Sequence, residues 1–133
     1  ASFVARPNVA EFVDVVMHER SLEFRMQEFD VPDGSPLAGQ TLREADLRKA
    51  HLNGANLRKS DLKGANLAGA RLRQADLRDA NLSGADLRGA TLQQAELARA
   101  ILRGTTLTET SLFGANLRRA DLSGAVHGYG SRQ

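Results

Sequence analysis

Few residues of this 133-residue chain have the types and spacing that catalysis or metal binding requires. The three histidines, His18, His51 and His127, are far apart, and none stands at a ligand spacing from another His, Cys or carboxylate. Gly128-Tyr129-Gly130 lacks the further glycine and the flanking strand and helix of a phosphate loop. No nucleophile has a base beside it. The sequence therefore predicts a non-enzyme without catalytic, cofactor-binding or metal-binding residues.

The composition is that of an ordinary soluble chain, with a formal net charge of +2 and 26% charged residues. The absence of cysteine is typical of a reducing compartment. There is no run of eighteen apolar residues and no basic-then-apolar leader. We therefore expect a cytoplasmic location and no membrane segment in this chain.

A leucine on every fifth residue dominates the sequence between residues 35 and 124. On a helix, steps of five residues would rotate each leucine by roughly 140° and form no apolar stripe. On a flat strand, an odd step would send successive leucines to opposite sides. The chain must therefore turn once in every five residues. The series, predicted to be the structural core, is Leu37, Leu42, Leu47, Leu52, Leu57, Leu62, Leu67, Leu72, Leu77, Leu82, Leu87, Leu92, Leu97, Leu102, Leu107, Leu112, Leu117 and Leu122.

The residues around each leucine follow a rule as well. Two positions before the leucine stands alanine in thirteen of eighteen repeats, and Ser, Thr or Gln in the others. Asn or Asp directly precedes the leucine in nine repeats, and Gly closes nine. Asn and Asp bond to nearby backbone, and Gly tolerates positive φ, so both suit repeated turns. Leucine and the small residue are expected to face inward.

The tandem A(D/N)LXX motif resembles the pentapeptide-repeat family. The resemblance implies an all-β fold, a right-handed quadrilateral β-helix in which four pentapeptides make one square coil. Eighteen pentapeptides then make about four and a half coils. With adjacent coils at the usual strand spacing, the solenoid would be a rod about 20 Å long.

Residues 1–34 have no five-residue period and contain most of the aromatic residues. Asn8 and Glu11 form a capping pattern that predicts a helix over about residues 9–19. Alternating apolar residues predict a strand with a bulge over residues 22–31, followed by a turn at Pro32-Asp33-Gly34. We expect three regions: an N-terminal helix-strand cap or linker (1–34), the β-helix (35–124) and a C-terminal tail (125–133).

Residues 6–48 additionally resemble the start of the RCK or TrkA-C regulatory domain of potassium channels and transporters. The segment LEFRMQEFDVPDGSPLAGQTLREADLR (22–48) is similar to its opening, and RPNVAEFVDVVMH (6–18) to the helix that leads into it. The resemblance ends where the pentapeptides begin, so ligand binding is not carried over. It implies a cytoplasmic appendage of a channel or transporter.

Adding twenty to a residue number sorts the solenoid surface into four walls. We name them by their leucines: wall 1 (Leu37, Leu57, Leu77, Leu97, Leu117), wall 2 (Leu42, Leu62, Leu82, Leu102, Leu122), wall 3 (Leu47, Leu67, Leu87, Leu107) and wall 4 (Leu52, Leu72, Leu92, Leu112). Wall 1 has six basic residues and three carboxylates, for a net +3, and wall 4 carries Arg71 and Arg73 without a carboxylate. Walls 2 and 3 are neutral. The candidate interaction surface is Arg58, Arg78, Arg99, Arg118 and Arg119 of wall 1 with Arg71 and Arg73 of wall 4.

This surface favours a structural scaffold with a protein partner. The alternative implied by the resemblance is a DNA mimic that binds a type II topoisomerase such as DNA gyrase, and it needs a strongly negative rod. The solenoid has fourteen basic and nine acidic residues, a net +5. A second alternative, weak nucleic-acid binding, needs stacking aromatics, but the solenoid has only Phe113.

The C-terminal end of the solenoid offers Phe113, Val126 and Tyr129 as candidate apolar residues to cover its last coil. An uncovered coil exposes unpaired backbone and leucines. We therefore predict a homodimer through this end.

Overall fold

The computed structural model describes residues 37–127 of the chain. The predicted helix, strand, turn and cap fall on residues 1–36, outside the described residues. Tyr129 and the rest of the Gly128-Tyr129-Gly130 motif lie outside them as well.

The described residues form a column of twenty-residue coils. Parallel bridges join each residue that precedes a leucine to the residue twenty positions further on, from Thr41–Asp61 to Thr106–Val126. Each bridge involves a single residue per coil, and residues 37–127 contain no helix and no longer strand. Because four leucines fall within each twenty-residue step, the prediction of four pentapeptides per coil is confirmed.

Backbone hydrogen bonds tie each coil to both neighbours. The N–H of Leu77 donates to the carbonyl of Glu96 in the next coil (2.7 Å), and the N–H of Asp76 donates to Ala55 in the previous coil (2.9 Å). The N–H of Asp79 also donates forward, to Ala98 (3.1 Å). Each coil is therefore stabilised by the coils above and below it, as in other solenoids.

A turn follows every leucine, as the period requires. In the turn after Leu77, the N–H of Ala80 donates to the Leu77 carbonyl (3.0 Å), and Asp79 has a φ of 61°. The second residue after each leucine has positive φ in every repeat, and nine of these residues are glycine. A type II turn requires positive φ at this position.

The Asn or Asp before the leucine stabilises the same turn. Its side-chain oxygen accepts the N–H two residues further on, as Asp76 Oδ1 does from Arg78 (3.2 Å) and Asn81 Oδ1 from Ser83 (3.0 Å). This Asx-type bond supplies a partner for a backbone N–H that the coil-to-coil ladder does not use.

The interior is filled by leucine and the small residue of each repeat. Every leucine of the series from Leu37 to Leu112 is buried, whereas Leu117 and Leu122 are partly exposed. Three hydroxyl residues replace alanine in the interior, Ser60, Thr105 and Thr110, and each donates a hydrogen bond to a backbone carbonyl. Within residues 37–127, these three are the buried polar residues, and none of them is charged.

No helix within residues 37–127 has the length and apolar character to cross a membrane.

Candidate interaction surface

Wall 1 carries most of the residues proposed for interaction. Asn56, Asp76, Glu96 and Asn116 are joined by successive bridges and form one column along the wall. The turn residues of the same repeats form two further columns beside it: Arg58, Arg78, Ala98 and Arg118 in one, and Lys59, Asp79, Arg99 and Arg119 in the other. The twenty-residue coil therefore brings all five predicted wall 1 arginines to one side.

Two of these arginines are held by carboxylates. Arg78 donates two hydrogen bonds to Asp76 in its own repeat, Nε to Oδ1 (2.9 Å) and Nη2 to Oδ2 (2.7 Å). Arg99 makes a similar pair with Asp79 in the preceding coil, at 2.9 and 3.1 Å. The guanidiniums lower the pKa of both carboxyl groups below the usual aspartate value, so both stay ionised near neutral pH.

The other basic residues of wall 1 have no carboxylate at ion-pair distance, although Arg58 and Lys59 contribute to the lowered pKa of Asp79. Within residues 37–127, Arg58, Lys59, Arg118 and Arg119 form no ion pair. The Nε of Arg58 is buried and has no hydrogen-bond partner. The unpaired charge lies at the two ends of the wall, with the paired Arg78 and Arg99 between them.

A groove of about 520 Å³ opens at the C-terminal end of wall 1. Ala98 lies between Arg78 and Arg118 in its column, so a short side chain interrupts a run of long ones. Asn116 Nδ2 donates to Glu96 Oε2 within the groove (2.9 Å). The lining residues are Arg78, Glu96, Ala98, Arg99, Asn116, Arg118 and Arg119.

Wall 4 places Arg71 and Arg73 away from this groove. Both side chains are exposed, and neither forms an ion pair with any residue that the structure describes. Gln74 Nε2 lies 3.4 Å from Gln94 Oε1 in the next coil, and Phe113 is 78% exposed at the end of the wall. The predicted surface therefore divides into two separate regions.

Walls 2 and 3 pair most of their charges. Wall 2 has ion pairs between coils, Arg43 with Asp61 and Arg103 with Asp121. The Ser123 hydroxyl, the Ser123 backbone N–H and the Arg103 guanidinium together lower the pKa of Asp121 to about 2.

On wall 3 the ion pairs lie within single repeats, Arg48 with Asp46 and Arg88 with Asp86. Their guanidiniums lower the pKa of both aspartates. Ion pairs of this kind maintain solubility and offer little charge to a partner.

The described residues show no arrangement suited to catalysis on these walls. No three His, Cys, Asp or Glu side chains within residues 37–127 lie close enough to hold a metal ion. His51 lies in the bridge column of wall 4 beside Arg71. Asp46, Asp76 and Asp86 stabilise turns and ion pairs, which keeps them ionised and unsuited to donate a proton near neutral pH.

Reasoning from the sequence missed the groove and the part that Ala98 plays in it. The signal was present, because steps of twenty residues give the column Arg58, Arg78, Ala98 and Arg118 directly. The sequence did not show which carboxylate each arginine binds. Arg78 binds Asp76 in its own repeat, whereas Arg99 binds Asp79 in the preceding coil.

Solved structures similar to this chain include two pentapeptide repeat proteins. The protein from Nostoc Pcc 7120 is 48% identical with a TM-score of 0.57, and the match covers 58% of this chain and 64% of that one. The protein from the Arabidopsis thaliana thylakoid lumen is 34% identical with a TM-score of 0.46, covering 66% of this chain and 55% of that one. The chain thus spans less than two thirds of the length of either protein. No curated protein sequence matches it.

The family model for pentapeptide repeats matches residues 41–79, 55–94 and 92–126, which together are more than half of the chain. None of the comparisons supports the resemblance of residues 6–48 to the RCK or TrkA-C domain, and residues 41–48 lie in the solenoid, where Thr41 bridges to Asp61. The repeat, the coil and the similar structure from Nostoc agree on the β-helix fold, and the chain belongs to the pentapeptide repeat family.

Proposed function

We propose that this chain is a non-catalytic scaffold that binds a protein partner through wall 1. The observation that carries the proposal is the contrast in pairing: wall 1 keeps Arg58, Lys59, Arg118 and Arg119 without ion pairs among the described residues, whereas walls 2 and 3 pair most of their arginines. Wall 4 also has two basic residues without ion pairs, Arg71 and Arg73, but among the described residues wall 1 has four, and such a cluster on a rigid body favours recognition of a complementary surface.

The fold supports a scaffold role because its interior serves stability alone. Leucine and alanine fill the coils, and the backbone ladder fixes the backbone position of the outward residues. A preorganised backbone loses little conformational entropy on binding. A flat, fixed wall is therefore suited to a protein partner rather than to an enclosed small-molecule substrate.

Site-specific photo-crosslinking in cells of the source organism tests this proposal. A photoreactive amino acid at Lys59 on wall 1 should crosslink to a discrete partner protein. The same replacement at Lys63 on wall 2 is the matched control, because both lysines are exposed turn residues. Equal crosslinking of that partner from both positions would contradict a wall 1 interface.

A finer proposal makes the chain the cytoplasmic appendage of a potassium channel or transporter. Its support is the sequence resemblance of residues 22–48 to the opening of the RCK or TrkA-C domain alone, and residues 41–48 of that segment belong to the solenoid. The proposal requires pore and nucleotide-binding-type sequence in frame upstream of Ala1. Sequencing the gene decides it, because a stop codon followed by a start codon upstream would exclude the appendage.

The positive charge of the solenoid argues against the alternative function, a DNA mimic that binds gyrase. Fourteen basic and nine acidic residues give the described solenoid a net +5, and its unpaired basic residues are exposed or half-buried on the walls. A DNA mimic must present negative charge to a surface that binds phosphates. We therefore prefer the scaffold.

We also propose that two copies associate through the C-terminal end of the solenoid. Leu117 and Leu122 are partly exposed there, and Phe113 and Val126 are 78% and 55% exposed. Covering these side chains would remove apolar surface from water. Analytical ultracentrifugation of the full chain should show a dimer that Phe113→Ser weakens. A monomer at the highest soluble concentration would exclude this association.

A further inference from the structure

We propose that the wall 1 groove at Ala98 binds an extended acidic segment of the partner protein, with partner carboxylates pairing with Arg118 and Arg119. This inference deepens the proposed scaffold function and rests on it. It adds the location of the contact and the chemistry of the segment that occupies it.

The shape of the groove comes from one small side chain. Ala98 occupies the turn position that arginine occupies in the coils before and after it, at Arg78 and Arg118. Arg78 and Arg118 line the opening together with Ala98, and the opening has a volume of about 520 Å³. A peptide in this groove would contact the backbone turn and the flanking arginines together.

The charge of the groove comes from its C-terminal side. Arg78 and Arg99 are engaged by Asp76 and Asp79, so they define the edges of the groove without offering a free charge. Arg118 and Arg119 are exposed and form no ion pair within the described chain. Guanidinium groups bind carboxylates in a bidentate geometry that a lysine cannot provide.

The carboxylate of Glu96 favours a peptide over a nucleic acid. Glu96 is exposed in the groove and accepts one hydrogen bond from Asn116, which leaves further acceptor capacity. A peptide supplies backbone N–H donors for this carboxylate and acidic side chains for the arginines. A phosphate backbone supplies no N–H donors for Glu96. None of the residues that line the groove is aromatic, so it has no platform on which bases could stack.

The spacing along the wall also suits an extended chain. Coils repeat at about 4.8 Å, so the two steps from Arg78 to Arg118 span about 10 Å. Side chains on one face of an extended peptide recur at about 6.7 Å, so two acidic residues fit within the groove. This geometry predicts binding of a short segment with carboxylates at alternate positions.

Fluorescence anisotropy with a labelled octaglutamate peptide and the full chain tests the proposal. The double variant Arg118→Glu/Arg119→Glu should bind at least about tenfold more weakly at low salt. The matched control is Arg71→Glu/Arg73→Glu on wall 4, which changes the net charge equally and should stay within about twofold of the parent. Thermal unfolding of each variant verifies that the solenoid is intact.

A variant that fills the groove without changing charge separates shape from electrostatics. Ala98→Met should also weaken octaglutamate binding about tenfold, since a long side chain is compatible with this turn position, as Arg78 and Arg118 show. Parent-like binding by Ala98→Met would overturn the groove site. So would equal losses in the two double variants, because unspecific attraction would then explain the binding.

A short DNA duplex at the same salt concentration provides the remaining comparison. Tighter binding to the duplex than to octaglutamate, lost in Arg118→Glu/Arg119→Glu, would replace the acidic peptide with a nucleic acid. Failure of the groove is distinguishable from failure of the scaffold, because Lys59, the crosslinking position, does not line this groove. Crosslinking from Lys59 without octaglutamate binding would retain the scaffold and overturn the groove site.

Discussion

Leu77 and Leu117 occupy the same wall two coils apart, yet they experience different environments. Leu77 is 1% exposed, and its N–H donates to Glu96 in the following coil. Leu117 belongs to the last described coil, is partly exposed, and its N–H makes no hydrogen bond to any described residue. The two leucines have the same inward direction and the same turn. The difference between them therefore lies in the neighbouring coils.

This contrast shows that a pentapeptide repeat is not stable as an isolated unit. A turn makes only one backbone–backbone hydrogen bond of its own, from the small residue to the leucine, such as Ala120 N–H to Leu117 (3.0 Å). The other backbone–backbone bonds and the burial of the leucine come from adjacent coils. We expect the last coil to open at a lower free energy than the middle of the solenoid.

The largest expected effect is on the leucines themselves. Leu77→Ala should lower the free energy of unfolding by about 2 to 5 kcal/mol, because it leaves a cavity between two coils. Leu117→Ala should cost about 1 to 2 kcal/mol, because its side chain has less apolar surface to lose. Urea unfolding followed by circular dichroism measures both. Equal costs would show that the last coil is as well protected as the middle.

A smaller effect is expected at the hydroxyl that joins two coils. Thr110 is buried, and its Oγ1 donates to the carbonyl of Leu87 (2.6 Å), more than twenty residues away. Thr110→Val preserves the shape and removes this bond, so it should cost about 1 kcal/mol.

The control for Thr110 is Ser60→Ala. The Ser60 hydroxyl donates to Leu57 within its own turn (2.7 Å), and alanine is the usual residue at this position. The free energy of unfolding should change by less than about 0.5 kcal/mol. A larger loss from Ser60→Ala than from Thr110→Val would contradict the importance of bonds between coils.

The turn glycines test whether the contrast extends to the backbone. Gly84, in a middle coil, and Gly124, in the last coil, have φ values of 69° and 71°. Alanine at Gly84 should cost about 1 kcal/mol, because a side chain disfavours the left-handed region. The same change at Gly124 should cost less if the last coil opens before the rest. Thermal unfolding and amide exchange compare the two variants, and equal exchange rates in both coils would remove the predicted early opening.

The leucine period shows how far the sequence alone determines this molecule. Leu77 and its equivalents imply a turn every five residues, and Asp76 has the turn bond that its residue type predicts. The wall 1 positions follow from the coil length. The ion pairs do not, because long side chains choose among neighbours: Arg78 takes the carboxylate of its own repeat and Arg99 takes one from the preceding coil. The groove depends on which carboxylate each arginine binds and on Ala98. A count of charged residues therefore predicts only that the net charge of wall 1 is positive.

The smallest expected effect is a loss of folding stability at acidic pH. Asp86 in a middle coil and Asp121 in the last coil both have lowered pKa values, Asp86 through Arg88 and Asp121 through Ser123 and Arg103. Because the folded pKa lies below the unfolded value of about 3.9, each ionised carboxylate stabilises the fold above that pH. This stabilisation is lost as the pH falls through the folded value, which for Asp121 is about 2.

Asp86→Asn and Asp121→Asn isolate this charge from the turn. Asn66 shows that an amide oxygen can accept the same backbone bond, from the N–H of Ala68 at 3.1 Å. Each variant should therefore unfold at a slightly lower temperature than the parent at pH 6, with a difference that shrinks towards pH 2. The effect stays small, because exposed ion pairs contribute little and are screened by salt. Both carboxylates are ion-paired. If the last coil opens first, however, the decrease in unfolding temperature should be smaller for Asp121→Asn than for Asp86→Asn. A difference that persists unchanged at pH 2 would show that the substitutions disturb the turn and not the charge.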